Sequence, residues 1–365
     1  MIAGCRGGKQ SSNESDIYVT VDVKANYSKK ELILQDFMDV EYIVLETNDE
    51  FITQGVVLDV GKETMLIRNN AQDGEMFIFD KKGKGIRKIN RRGGGGEEYK
   101  IILGSVLDED NNEIFVNDII TMKVMVYDLF GNFKRSFQHN EGDRYDNIYN
   151  FDSENLICNV VDSKTPEKSF IIISKQDGSI VSKIHIPFKQ KKSTEFVNSG
   201  NLVSFYFYYP ILPFQDSWIL SESSSDTVFR LLPDYSMVPF IIRTPSIQSM
   251  SPEVFLFPKI ITDRYCFMDR IKMENNFTKT DLVYDRQERT IYEYTLQNDD
   301  YVNKKLVNLS VWETNNDRIA FWQKIEADEL IKSYKRNELK GELKKIAEEL
   351  DEESNPVIML IKHRT

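Results

Sequence analysis

The sequence predicts an all-β fold, a six-bladed β-propeller with one C-terminal amphipathic helix inserted before its last strand. Three observations predict it. A hairpin unit recurs at a nearly constant offset, further strand-like segments precede each hairpin, and the composition favours sheet. The recurring unit is clearest in Phe77-Ile78-Phe79-Asp80 and Met125-Val126-Tyr127-Asp128, two short apolar runs ending in Asp. Glycine follows three residues later in each, as Gly83 and Gly131, and then a basic strand carrying Arg87 or Arg135. Gly96-Glu97-Glu98-Tyr99 and Gly142-Asp143-Arg144-Tyr145 repeat at nearly the same offset. That offset falls in the roughly 40–50 residues of a propeller blade. Asp and Gly at these turns have a physical task, since tight hairpins need φ > 0 or a side chain that bonds its own backbone.

Fainter copies follow at Phe170–Ser174 with Gly178, at Thr227–Leu231 with Pro233-Asp234, and at residues 282–285. Ahead of the first hairpin the strand pattern falls on residues 42–45, 55–60 and 65–67, ahead of the second on 101–107 and 113–116, and ahead of the third on 148–151 and 155–161. Each unit thus holds about four strands. The sixth unit is a strand at 318–323, the helix at 326–349 and a last strand at 356–362. A free strand at 17–23 is expected to complete it, which would remove an exposed sheet edge. In the helix, Leu330, Ile331, Tyr334, Leu339, Leu343, Ile346, Ala347 and Leu350 approximate one apolar stripe. Gly341 inside it is a weak point.

Composition fits this reading. The chain has 365 residues, 41% hydrophobic, with 22 Phe and 17 Tyr but 3 His, a balance that favours sheet and supplies few catalytic imidazoles. The formal net charge of −11 argues against a nucleic-acid partner, whose phosphates need cations. The densest basic stretch, Lys81 to Arg92, spreads over a hairpin turn, an outer strand and a loop. Cys158 and Cys266 lie in apolar strand patterns and read as buried thiols. No run of 18 apolar residues is present to form a membrane-spanning helix. Ile2-Ala3-Gly4-Cys5 has the small-residue spacing of a lipoprotein cleavage site, with Cys5 as the lipidated residue, and a Gly/Ser/Asn-rich tether follows. Residues 1–15 are therefore read as the cleavage motif and tether, and 16–365 as a single propeller domain.

Several stretches together resemble a known family. They are Glu41-Tyr42-Ile43-Val44-Leu45-Glu46-Thr47, the Phe79-Asp80…Gly83 hairpin, the loop Gly93-Gly94-Gly95-Gly96-Glu97-Glu98-Tyr99, Asn355-Pro356-Val357-Ile358 after the helix, and Ile2-Ala3-Gly4-Cys5. The chain resembles the six-bladed, NHL-like β-propeller lipoproteins of Bacteroidetes, most of them without an assigned function. The resemblance implies the fold and a bacterial cell-envelope location, lipid-anchored, and no particular reaction. The family loop usually reads Gly-x-Gly-Pro-Gly-Glu-Tyr. Here Gly96 replaces the Pro and Glu97 the third Gly, which makes the loop more flexible and more acidic.

The function read from the residues is a non-catalytic ligand- or protein-binding module, whose partner is a small molecule, a glycan or a protein. It is read as a monomer that meets the membrane only through its lipid. The candidate ligand groups are Arg91, Arg92, Glu98 and Tyr99, their repeat Arg144 and Tyr145, and Tyr206 and Tyr208 in the aromatic run at 205–209. The first six lie in loops from an outer strand to the next inner strand, on a face where propellers commonly bind. The rival role for Tyr99 and Tyr145 is to seal the junction between blades. The alternative function is a metal-dependent hydrolase or lyase with its site in the central channel, for which His139, His185 and His363 are thinly spread. No cofactor is expected, though the pairs Glu97-Glu98 and Asp299-Asp300 carry the oxygen ligands that calcium takes.

Overall fold

The computed structural model describes residues 18–161, 169–198, 201–204, 209–274, 277–309 and 318–364. Cys5, Tyr206 and Tyr208 lie outside the described residues. The chain forms a six-bladed propeller. Blade 1 is built from Val56–Val60, Thr64–Arg68, Glu75–Asp80 and Gly85–Asn90, from inner to outer edge. Blade 2 is Gly104–Asp108, Glu113–Asp118, Lys123–Asp128 and Phe133–Gln138, and blade 3 is Arg144–Asn150, Asn155–Val161, Phe170–Ser174 and Ile180–Ile184. Blade 4 is Ile211–Phe214, Ser217–Leu220, Thr227–Leu231 and Met237–Thr244, and blade 5 is Val254–Ile261, Tyr265–Lys272, Thr278–Asp285 and Thr290–Asn298. Blade 6 pairs Ile319–Ile325 with Val357–His363 and then with Met38–Val44. A small hairpin, Glu195–Asn198 with Asn201–Ser204, lies in the long connection from blade 3 to blade 4.

Central strands bury both faces and read as near-continuous apolar runs (Phe170–Ser174 is an example), while the outer strands Gly85–Asn90, Phe133–Gln138 and Ile180–Ile184 alternate. The core is divided among the six blade junctions. Met65, Phe77 and Phe79 of blade 1 pack against Trp322, Ile358 and Leu360 of blade 6. Val106, Phe115 and Val126 of blade 2 pack against Leu156, Cys158 and Ile171 of blade 3. Cys158 and Cys266 are both buried free thiols, and burial pushes both pKa values up.

The ring does not close where the sequence suggested. Val19–Asp22 runs parallel to Met237–Thr244 on the outer edge of blade 4. Lys29–Ile33 does the same against Thr290–Asn298 on blade 5. The closing strand is Met38–Val44, antiparallel to Val357–His363, so the segment expected to open blade 1 belongs to blade 6. The N-terminal chain is thus stitched along three successive blades before blade 1 begins. All three strands are short, and only non-local pairing distinguishes them.

The single helix expected at 326–349 is two helices, Ala327–Lys335 and Gly341–Glu349. The first ends where Asn337 takes a left-handed φ of 56°, and Gly341 takes the same value at the start of the second. Between them Leu339 forms a bridge with Tyr301, and the Val302 amide donates to the Glu338 carbonyl. Leu330, Leu339, Leu343 and Ala347 all face the core between blades 5 and 6, so the break lets two short helices follow a curved surface.

The repeated turn glycines serve packing as well as conformation. Asp80 Oδ1 accepts the amides of Lys82 and Lys84, and Asp128 Oδ1 accepts those of Phe130 and Asn132. Each turn then needs a left-handed residue, and Gly83, Gly131 and Gly178 have φ of 83°, 81° and 73°. Each also presses on the blade before it. A Cβ on Gly178 would lie 2.3 Å from Phe137 Cδ2, and one on Gly131 would lie 2.9 Å from Ile89 Cγ2.

Candidate functional site

The antiparallel order within each blade puts the outer-to-inner loops and the second-to-third-strand turns on one face of the ring. The loop at 91–103 on this face holds Arg91, Arg92, Glu98 and Tyr99, and Arg144 and Tyr145 open the inner strand that follows the loop at 139–143. Tyr99 and Tyr145 are both 0% exposed. The Tyr99 hydroxyl donates to the Gly74 carbonyl at 2.7 Å and accepts the Arg91 amide at 2.9 Å. The Tyr145 hydroxyl accepts the Asn140 amide at 3.1 Å. Each Tyr therefore folds under its own loop and ties the loop's first residues to the blade junction. Burial pushes both phenols up to about 12, so both hydroxyls keep their protons at neutral pH. This is the junction arrangement, and neither ring reaches solvent.

Glu98 is turned into the glycine loop. Its Oε2 accepts the Gly95 amide at 2.6 Å, and a Cβ on Gly93 would lie 1.9 Å from the same oxygen. The amide that such a loop offers to an anion is thus met by the chain's own carboxylate. The Glu97 carbonyl accepts the Tyr127 hydroxyl, and the Lys100 amide donates to Asp118 Oδ2. Of the second acidic pair, Asp299 bridges to Lys340 at 3.0 Å and Asp300 accepts the Tyr42 hydroxyl at 2.8 Å.

The three arginines occupy separate places. Arg91 is exposed, but its Nε donates to the Gly131 carbonyl on the outer turn of blade 2 at 2.6 Å. Arg92 is exposed and lies over the turn containing Gly74. Arg144 opens the inner strand of blade 3, half-exposed, with its Nε 3.1 Å from Asp146 Oδ1. The structure therefore brings Arg91, Arg92, Glu98 and Tyr99 into one loop, with Arg144 and Tyr145 at the next junction.

His139 is the partner that sequence reading missed. Its ring stacks on Tyr145 with centroids 4.2 Å apart. Nδ1 accepts the Tyr145 amide at 3.3 Å, so the imidazole is neutral with its proton on Nε2, which donates to Asn117 Oδ1 at 2.9 Å. Burial holds its pKa down at about 4. Its position just after the outer strand of blade 2 was the available signal.

Sequence reading also missed two buried ion pairs. Lys175 Nζ lies 2.5 Å from Asp108 Oδ2, tying blade 3 to blade 2. Lys259 Nζ lies 3.0 Å from Asp269 Oδ2 within blade 5. A lone Lys in the apolar run Val254–Ile261 was the signal for the second. Among the described residues no group of three or more His, Cys, Asp or Glu is placed to hold a metal, and no helix is long and apolar enough to cross a membrane.

Comparison with solved structures returns the same architecture. A protein of Bacteroides fragilis described as exported matches with a TM-score of 0.59 and 16% identity, over 93% of this chain and 100% of its own. A member of the DUF4221 family from Bacteroides vulgatus matches with a TM-score of 0.49 and 10% identity, over 90% of this chain and 98% of its own. At 16% identity the likeness to the Bacteroides fragilis protein is one of fold. No curated protein matches the chain. One family model covers residues 18–362, from the strand on blade 4 to the last strand of blade 6, and by that match the chain belongs to the family described as a domain of unknown function, DUF4934.

Proposed function

We propose that this propeller is a non-catalytic binding module, held at the bacterial cell envelope by a lipid on Cys5. Its loop face presents Arg92 and Arg144 to a small molecule, glycan or protein. One observation carries the reading: the two loops are locked from beneath by Tyr99 and Tyr145 through hydroxyl bonds to the loop backbone. A surface fixed in this way loses little conformational entropy on binding. Arg91 has its Nε on the Gly131 carbonyl and Arg144 has its Nε on Asp146, so both side chains are held in place. The N-terminal path is in keeping with an anchor, since the chain leaving the tether is stitched into blades 4, 5 and 6. The Bacteroides fragilis protein of similar fold is described as exported, which accords with an envelope location.

Two measurements test this reading. Expressed behind a native signal, the wild type is expected to sediment with membranes and Cys5→Ala to stay soluble. Identical fractionation overturns the anchor. On glycan and peptide arrays, Arg92→Ala/Arg144→Ala is expected to lose the wild-type signal while melting at an unchanged temperature. Retained signal overturns the loop face as the binding surface.

A further inference from the structure

A second surface lies on the rim of the ring. Two blades carry an extra strand on the outer edge: Val19–Asp22 runs parallel to Met237–Thr244 on blade 4, and Lys29–Ile33 runs parallel to Thr290–Asn298 on blade 5. The outer edge of a blade in this chain therefore accepts an extended segment. Among the described residues, blades 1, 2 and 3 end at their fourth strand. A bare edge offers a row of backbone donors and acceptors to an incoming strand. On blade 4 the register of the outer pair shifts between Val228 and Phe229, and the strap pairs beyond the shift, at residues 241–244. Blade 1 shifts between Ile78 and Phe79, which makes residues 87–90 the equivalent stretch. Among the described residues no backbone group beyond the blade bonds the backbone of 87–90.

The three bare edges differ in their charges. On blade 2, Lys134 and Arg135 of the outer strand are both paired with Glu113. On blade 3 the outer strand carries one cation, Lys183. On blade 1, Gly85–Asn90 and the turn before it carry Lys82, Lys84, Arg87 and Lys88, part of the densest basic stretch in a chain of net charge −11. Lys88 pairs with Glu75 at 2.7 Å. The other acids nearby are engaged by backbone: Asp80 Oδ1 accepts the Lys82 and Lys84 amides, and Glu46 Oε2 accepts the Gly85 amide. Among the described residues, Lys82, Lys84 and Arg87 form no ion pair. Apolar groups flank the same edge. Ile86 is 48% exposed, and Phe130, on the adjoining turn of blade 2, is 66% exposed. The Arg87 guanidinium lies 4.5 Å from the Phe130 ring centroid, which sets cation and ring side by side. On blade 5 the chain's own strap shows charge assisting such pairing, with Lys30 2.9 Å from Asp285 and 2.8 Å from Glu288. On blade 1 the cations are on the blade. Cations on an edge repel basic strands and admit an acidic one.

We infer that the outer edge of blade 1 pairs with an extended segment of a partner protein, rich in acidic and apolar residues. The segment continues the sheet beyond residues 87–90, with its acids toward Lys84 and Arg87 and its apolar side chains toward Ile86 and Phe130. This surface does not depend on the function proposed for the loop face.

The probe is a capped octapeptide of Val, Thr and Asp, titrated calorimetrically into the full chain. Its counterparts carry Lys in place of Asp, or N-methyl groups on alternate backbone amides. The acidic peptide is expected to bind at least about tenfold more tightly than either, since one counterpart meets like charge and the other lacks donors. With the acidic peptide bound, hydrogen exchange is expected to slow at residues 87–90 and to stay unchanged in Ile180–Ile184 on blade 3. Arg87→Glu/Phe130→Ala, checked for native melting, is expected to weaken binding at least about tenfold, while Arg144→Ala on the loop face binds as the wild type does. Equal affinity for the three peptides, undiminished binding by the double variant, or exchange at 87–90 that does not slow overturns strand pairing at this edge. Loss of binding in Arg144→Ala moves the peptide to the loop face and overturns it too. No binding of the acidic peptide in the millimolar range overturns the edge as a site for this class.

Discussion

At the residue scale, buried polar groups decide most of what this sequence does locally. His139 is the clearest case, because two hydrogen bonds fix it as the neutral tautomer. Its folded pKa of about 4 lies below the ordinary value of 6.5. Between those values the unfolded chain binds the extra proton, so stability is lost as pH falls through that window. The full effect is on the order of 3 kcal/mol. Asp269 acts in the opposite sense, since burial raises its pKa and favours the folded state as pH falls. Urea melts of wild type and His139→Gln at stepped pH separate the two. The variant is expected to lose the decline between about pH 6.5 and 4, and a decline of equal slope in both would exclude His139 as its source. Tyr99 is tested similarly. Tyr99→Phe keeps the packing but strips a partner from the Gly74 carbonyl and the Arg91 amide, for a loss of roughly 1–2 kcal/mol by the same melts. The repeated Tyr was legible in the sequence, but its direction was not. A Gly-acid-x-Tyr spacing is the same whether the ring points to solvent or under its own loop.

At the scale of elements, hairpin turns and helix ends show where local signals suffice. Asp80, Asp128 and the glycines after them announced their turns because the chemistry lies within four residues. What the spacing could not reveal is that each glycine also seats the turn on the preceding blade. Two substitutions separate these roles. Gly142 and Gly178 share a left-handed φ, 78° and 73°, but a Cβ on Gly142 meets nothing within 4 Å. Gly142→Ala is therefore expected to cost about 1 kcal/mol of backbone strain. Gly178→Ala adds a clash with Phe137, for roughly 1–3 kcal/mol more. Similar losses in thermal melts of the two variants would remove the packing role. The C-terminal helix illustrates the opposite limit. Its apolar stripe was visible, and so was the weak Gly341, but the break depends on Tyr301 capturing Leu339 from a distant loop.

At the scale of the whole molecule, the number of blades was legible because each blade repeats one pattern, and the closure was not. A propeller closes by pairing chain ends, and a short alternating strand carries no label naming its partner. Val19–Asp22 and Met38–Val44 both fit an edge, and 17–23 was the reasonable candidate for closure because it stands free. The structure instead uses the earlier strand as an outer strap on blade 4 and the later one as the third strand of blade 6. The two arrangements predict opposite outcomes for N-terminal shortening. A chain beginning at Ser28 loses the strap and its buried Val19, Val21 and Val23, yet keeps every strand of blade 6. It is expected to elute without aggregation and to unfold cooperatively, with a lowered melting temperature. A chain beginning at Leu45 loses Met38 and Ile43 from the core and leaves Val357–His363 as an open edge. That strand is almost wholly apolar from Val357 to Ile361, and unpaired apolar edges of this kind recruit other chains. The second shortened chain is expected to aggregate or to lose its cooperative transition. Size-exclusion chromatography and calorimetry read both outcomes. Were closure made by residues 17–23 instead, the chain beginning at Ser28 would already show the aggregation expected here only of the shorter one.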